Sequence, residues 1–342
     1  MKKILLLTLL AGAARAVDRF EHGDWVSACD NTNTCRAAGF QADDLGENPV
    51  ALLLTRAAGA GAPLQGEISL AAAPYGEDGP PLPAGVKLLL NGRSLGTVAL
   101  DKNGQGELTP AQLEALIDAL QAKHADIRFS GGGTQWRLSD AGAAAVLLRL
   151  DAQQGRINSP SALIKKRRGN GPVTVSPLPV PVIRAAQVAP SEPSFIPAGS
   201  ADFQRISRLL DPEEECVTWE GDGPEENDRL TVHRLDDGHR LVAKLCNQGA
   251  YNETFHYGLF DSALQELQQL LGDEDPLNDY EDGTISGAHK GRGLGDCWVR
   301  TSYVWTGERF MRSSVSDSGL CKGVPGGSWE LPTFVSEVKT AD

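Results

Sequence analysis

Six cysteines (Cys29, Cys35, Cys216, Cys246, Cys297 and Cys321) stand in a chain whose first sixteen residues read as an export leader. This conjunction narrows the fold more than any other feature. An even cysteine set in an exported chain is read as a disulfide framework, because thiols oxidise outside the cytosol. Zinc would need closely spaced cysteine pairs or adjacent histidines, and neither spacing occurs. No metal and no cofactor is therefore expected. Six cysteines allow 15 pairings. Cys29 and Cys35 lie in the first half and the other four in the second, so few pairings remain if bridges stay within a half. We favour Cys29–Cys35, Cys216–Cys246 and Cys297–Cys321, with the connectivity of the last four open.

Lys2 and Lys3 supply the positive start of the leader, Ile4 to Ala13 its apolar stretch, and Ala14-Arg15-Ala16 the small residues at a cleavage site. The apolar stretch is about half the ~20 residues a membrane-spanning helix needs. Val17 rather than cysteine follows, so lipid attachment there is not expected. The reading is cleavage near Ala16 and a periplasmic or secreted product with no transmembrane segment. Removing Lys2, Lys3 and Arg15 takes the net charge of -13 to -16. Such acidity argues against nucleic acid, whose phosphates need a basic face. The partner is expected to be an unidentified envelope component or ligand.

Seven prolines fall between Gly169 and Gly199 without helical or strand periodicity, which predicts a semi-rigid, extended spacer. The expected organisation is a leader at 1–16, a β-rich unit at 17–168, a linker at 169–199 and a β-rich unit at 200–342. The fold class is α+β, β-rich, with two strand-dominated, disulfide-stapled domains.

In the first unit, Pro49 to Thr55 and Val86 to Leu90 read as buried strands, and Asn91-Gly92 as a tight turn into Ser94 to Leu100. Ile127 to Ser130 and Thr134 to Leu138 predict a hairpin around three glycines. Thr109, Pro110 and Gln112 form a helix-start signature, followed by Leu113, Leu116, Ile117 and Leu120 on one face. A second helix is expected from about Ser139 to Gln154. In the second unit, a short helix carries Phe203, Ile206, Leu209 and Leu210. Arg229 to Leu235 and Arg240 to Cys246 predict a hairpin, and a two-residue turn there would pair His233 with Val242. A strand from Asn252 to Phe260 is followed by an expected helix over Asp261 to Leu271, capped by Gly272. Cys297 to Trp305 and Arg309 to Val315 predict a last hairpin.

Chemical motifs are weak. Asp101 to Leu108 resembles the start of a calcium loop, but Gln112 stands where a bidentate glutamate is needed, so a hairpin-to-helix turn is the better reading. Lys165, Lys166, Arg167 and Arg168 form the basic cluster and are a candidate anion site, with a solvated run as the alternative. Acidic stretches at 213–215, 225–228 and 273–282 read as solvated loops. Gly283 to Gly287 misplaces its serine for a nucleophile elbow. Gly291 to Gly295 lacks the strand–turn–helix setting of a phosphate loop. Trp298, Tyr303 and Trp305 are the candidate exposed aromatic face. Three functions stay open: non-enzymatic envelope binding or maintenance, with enzymatic activity not favoured; a hydrolase of envelope polymers using paired carboxylates; or an inhibitor or partner-binding module with an aromatic patch.

Phe20-x3-Asp24-Trp25-x3-Cys29-Asp30-Asn31 with Cys35, Leu150-Asp151-x2-Gln154-Gly155-Arg156 with Ala162-Leu163, Gly295-x-Cys297 and Leu331-Pro332-Thr333 together resemble a proteobacterial envelope family known as domain of unknown function 1176. The N-terminal half is more distantly similar to invasion-associated locus B proteins. The first resemblance implies periplasmic location and paired cysteines and supplies no catalytic residues. The second would imply a role at the cell surface.

Overall fold

The computed structural model describes residues 18–42, 48–73, 79–122, 124–167, 174–188, 190–217 and 229–340. The leader, Arg168 and the acidic stretch at 225–228 lie outside these residues. The chain is strand-rich, with several sheets, three helices among the described residues and three disulfides.

The chain starts as an antiparallel meander: β1 (Asp18–His22), β2 (Trp25–Cys29), β3 (Cys35–Phe40), β4 (Val50–Arg56) and β5 (Leu64–Leu70). The hairpin β6 (Gly85–Leu90) and β7 (Arg93–Ala99) follows, joined around Asn91-Gly92, and β8 (Gln105–Glu107) returns to the edge of the first sheet beside β5. The Asp101 carboxylate accepts from the Asn103 and Gln105 backbone N–H groups, so this stretch is a turn made by its own side chain. α1 (Pro110–Gln121) opens with a reciprocal cap: Gln112 N–H donates to Thr109 Oγ1, and Thr109 N–H donates to Gln112 Oε1. β9 (Ile127–Gly131) and β10 (Thr134–Leu138) complete a four-stranded sheet in the order β10-β9-β6-β7. α2 (Ala143–Gln153) begins four residues later than the sequence suggests, after Gly142 in the left-handed region.

The first sheet is buried on both faces. Trp25, Leu52, Leu54 and Ile68 pack under α1, α2 and the four-stranded sheet, against Leu116, Leu147, Phe129 and Trp136. From the opposite face, Val26, Ala28, Ala38, Phe40, Ala51 and Leu53 meet Leu320, Trp329 and Leu331 from the far end of the chain. A strand covered on both sides needs an unbroken apolar run, and Val50 to Leu54 is one. Gly39 sits opposite Trp25 in the β2–β3 pair, and a Cβ there would lie 2.3 Å from the indole. The missing side chain is the room the ring occupies.

The proline-rich segment runs between the halves in contact with both. Val175 N–H donates to the Gln154 carbonyl, Leu178 N–H to the Thr32 carbonyl, and Glu337 N–H to the Pro181 carbonyl. Within it β11 (Val182–Ala185) pairs in parallel with the last strand, and β12 (Ser194–Pro197) joins the next sheet.

After α3 (Ala201–Leu210), the remaining strands make two five-stranded sheets packed face to face. One holds β12, β13 (Arg229–Arg234), β14 (His239–Gln248), β15 (Glu253–Asp261) and β16 (Leu267–Leu271). The other holds β17 (Asp279–Glu281), β18 (Thr284–Lys290), β19 (Trp298–Trp305), β20 (Phe310–Asp317) and β21 (Leu331–Val335), with β22 (Glu337–Thr340) leaving to pair with β11. Leu241, Tyr257, Leu259 and Leu271 of the first meet Ile285, Tyr303, Trp305 and Phe310 of the second. α3 covers the outer face of the first through Ile206 and Leu210.

Two sequence expectations fail here. Residues 261–271 form a turn and an edge strand, not a helix. The Asp261 carboxylate takes the Gln265 and Glu266 N–H groups, Leu264 turns left-handed, and β16 then pairs with β15 and buries Leu271. Pairing and burial outweigh the helix propensity of the leucine- and glutamine-rich string. His233 pairs with Leu241 rather than Val242, because the turn is longer than two residues: Leu235 N–H donates to the His239 carbonyl around Asp236 to Gly238.

Candidate functional site

The sulfur atoms join Cys29 to Cys35, Cys216 to Cys246 and Cys297 to Cys321. His256 lies 3.6 Å from Cys216 Sγ, and Asp296 stands beside Cys297 and Cys321, so each of these bridges has a neighbour of metal-ligand type. Disulfide sulfurs offer no thiolate, and Asp296 is already held by Arg292 and by Gly323 N–H. Neither group is a metal centre.

The aromatic candidates separate. Trp298 is half-buried, with its indole N–H on the Gly295 carbonyl and Lys290 and Arg300 each 5.3 Å from its ring. Tyr303 and Trp305 are buried in the sandwich. Positions seven apart on a strand point to opposite faces, so Trp298 and Trp305 cannot share one. The expected exposed aromatic face is corrected on that ground. Lys165, Lys166 and Arg167 are exposed, and no ion pair involving them is seen among the described residues.

A cleft of about 1390 Å3 lies between the halves. One wall is the β2–β3 hairpin tip closed by Cys29–Cys35, with Arg149 and Gln153 of α2 and Val175, Ser176 and Leu178 of the proline-rich segment. The tip is rigid: Asp30 Oδ1 accepts from Thr32 N–H, Thr32 Oγ1 and Thr34 N–H, and Asp30 Oδ2 from Arg36. The opposite wall is the open side of the sandwich, with Gln269 to Asp275, Tyr303, Arg312 and Phe334.

The fixed polar group of that wall joins Asp275, Tyr303 and Arg312. The Tyr303 hydroxyl donates to Asp275 Oδ2; Arg312 Nε donates to the hydroxyl at 3.0 Å and Nη2 to the carboxylate at 2.7 Å. Burial, and then the Asp275 carboxylate, push the phenol up to about 12. Tyr303 therefore stays protonated at neutral pH and serves as a donor. The Arg312 side chain remains 38% exposed at the cleft. Asp273 and Glu274 are exposed beside this cluster.

Two carboxamides seal strand edges at the cleft. Asn31 donates to the Val335 carbonyl at 3.0 Å and accepts from Val335 N–H at 2.7 Å. Gln269 donates to the Phe310 carbonyl at 3.0 Å and accepts from Phe310 N–H at 2.9 Å. Each side chain imitates the peptide unit of an added strand. The sequence gives little sign of this constellation, because its members lie far apart along the chain and only Asn31 belongs to a recognisable motif.

The motif Asp151-x2-Gln154-Gly155-Arg156 is placed behind the cleft rather than in it. Asp151 is fully buried and accepts from the Leu163 and Ile164 N–H groups. Arg156, also fully buried, spans Gln154 Oε1, Ser161 Oγ and the Gly59 carbonyl. Gln154 Nε2 reaches the Asn33 and Arg56 carbonyls. Burial raises the Asp151 carboxyl above its ordinary range and lowers Arg56 to about 10, with Arg156 adding to the latter. The motif is a polar knot that pins the hairpin tip to the end of α2.

Strand-rich sheets and three disulfides define a strand-rich, disulfide-bonded protein with a cleft walled by residues from both halves of the sequence. The chain belongs to the family described as protein of unknown function (DUF1176), which matches residues 19–336. It is similar to the uncharacterized protein YpfG of Escherichia coli (strain K12), 28% identical over 338 residues that span 90% of this chain and 89% of that protein. No solved structure matches it.

Proposed function

We propose that the protein is exported to the periplasm, with its leader cut near Ala16, and works in the cell envelope by binding rather than by catalysis. In this reading 17–168 and 200–342 are two units, and 169–199 is the strap between them. The cleft is the binding site and takes a segment of a polymer. Its volume carries the reading: about 1390 Å3 exceeds the ~300–1,000 Å3 common for small-molecule pockets. The leader, the bridges and the acidic surface support the address. Hydrolysis has less support, because Asp275 is committed to Arg312 and Tyr303. The basic run at 165–168 is retained as a peripheral contact for an anionic surface. Site-specific photocrosslinking in the native host tests the proposal. A photoreactive residue at Leu178 or Asp273 is expected to give discrete adducts that one at Arg93 does not. Equal adduct patterns from all three positions in folded protein would sink it.

A further inference from the structure

The strand edges around the cleft are not treated alike. The outer edge of β20 at Phe310 is closed by the Gln269 carboxamide, and that of β21 at Val335 by the Asn31 carboxamide. β22 is paired with β11. β16 is the last strand of its sheet, and no strand among the described residues pairs with its other side. Gln269, Leu270 and Leu271 all line the cleft. A strand seen face-on would show alternate residues, so three in succession mean that it is seen along its edge.

Exposed edges are commonly blunted by lysine, proline or inward charge. β16 reads Leu-Gln-Gln-Leu-Leu and carries none of these; its irregularity is a bulge at Gln268, where the pairing steps from Phe260–Leu267 to Leu259–Gln269, and Gln269 to Leu271 beyond it pair regularly. The same protein closes two neighbouring edges with amide groups and leaves this one as a row of backbone donors and acceptors. Over Gln269 to Leu271 that row repeats every two residues, about 6.8 Å, a spacing that another extended polypeptide matches. Immediately beyond the strand, Asp273 and Glu274 are exposed, and neither has an ion pair among the described residues. Their charge favours a cationic group at that end.

We propose that the cleft binds an extended polypeptide, added as a strand to the free edge of β16, with a basic side chain directed to Asp273 and Glu274. The inference rests on the cleft being the binding site and names the class of polymer it takes. The shortest added strand follows from the regular run of β16: three residues, Gln269 to Leu271, span about 10 Å.

Fluorescence anisotropy with the full disulfide-bonded chain and a labelled decapeptide of alternating lysine and threonine provides the test. The decapeptide is expected to bind saturably. Full N-methylation of the same sequence, which keeps every side chain and charge but removes the backbone donors, should weaken it at least tenfold. Alternating glutamate and threonine should bind at least tenfold more weakly than the lysine peptide, and the double variant Asp273→Asn, Glu274→Gln should narrow that gap. Binding of the N-methylated peptide within twofold of its parent overturns strand addition, as does absence of saturation by any peptide. If the crosslinks at Leu178 and Asp273 persist in that case, the cleft stands as a binding site and only its assignment to a polypeptide falls.

Discussion

Asn31 and Val335, 304 positions apart, exchange two hydrogen bonds through a single side-chain amide, at 3.0 and 2.7 Å. The contact fastens the disulfide-closed tip of the β2–β3 hairpin to the end of β21, on opposite walls of the cleft. Replacing Asn31 by alanine leaves a backbone carbonyl and N–H of Val335 without these partners. A half-buried pair of this kind costs about 1–3 kcal/mol. Urea unfolding of Asn31→Ala should show that loss with an unchanged denaturant slope. A loss below about 0.5 kcal/mol would mean that water replaces the amide at no cost.

The close approach of Trp25 and Gly39 leads to a second expectation. The indole is fully buried, its N–H donates to the Ser139 carbonyl at 2.8 Å, and its ring lies where a Cβ of residue 39 would be. Gly39→Ala forces the ring or the strand pair to move, and overpacking of this sort costs about 1–3 kcal/mol or more. Near-ultraviolet circular dichroism should change along with the fall in stability. An unchanged spectrum and midpoint would show that the sheet absorbs a methyl group there.

What the sequence discloses, and what it hides, follows from how local each determinant is. The helix start at Thr109 is readable because both halves of its cap lie within four residues. Val50 to Leu54 is readable as a buried strand, although which partners bury its second face is not. Leu331 and Trp329 do so from the far end of the chain. The string from Asp261 to Leu271 suggests a helix because its residues favour one, and only the presence of β15 converts its end into a strand. The opposite facing of Trp298 and Trp305 was legible in their odd separation. The cleft was not, since Asn31, Gln269, Asp275 and Arg312 meet through tertiary packing alone.

Asp151 holds a place where removal should be severe. It is fully buried, accepts from two backbone N–H groups and stands near the guanidinium groups of Arg56 and Arg156. Asp151→Ala strands both N–H donors and leaves two buried cations without their carboxylate. Loss of one member of a buried charged network costs about 3–5 kcal/mol. Calorimetry should place the midpoint of Asp151→Ala far below that of Asp118→Ala, a change on the exposed side of α1. Similar midpoints for the two variants would refute the structural role assigned to the motif.

Asp211 gives the acid dependence a definite sign. Burial pushes its carboxyl up, but the Lys244 ammonium at 2.8 Å and the Cys216 and Glu215 N–H groups together hold it below its ordinary value. A carboxyl depressed in the folded state stabilises that state above its unfolded pKa, near ~4, and this contribution is lost as pH falls through the folded value. Asp211→Asn should therefore be less stable than the parent at pH 7, and the difference should shrink as the pH drops below about 4. Urea unfolding at pH 7 and at successive steps down to pH 3 measures it. A difference that stays constant or widens toward acid would show that Lys244 does not hold Asp211 in its charged form.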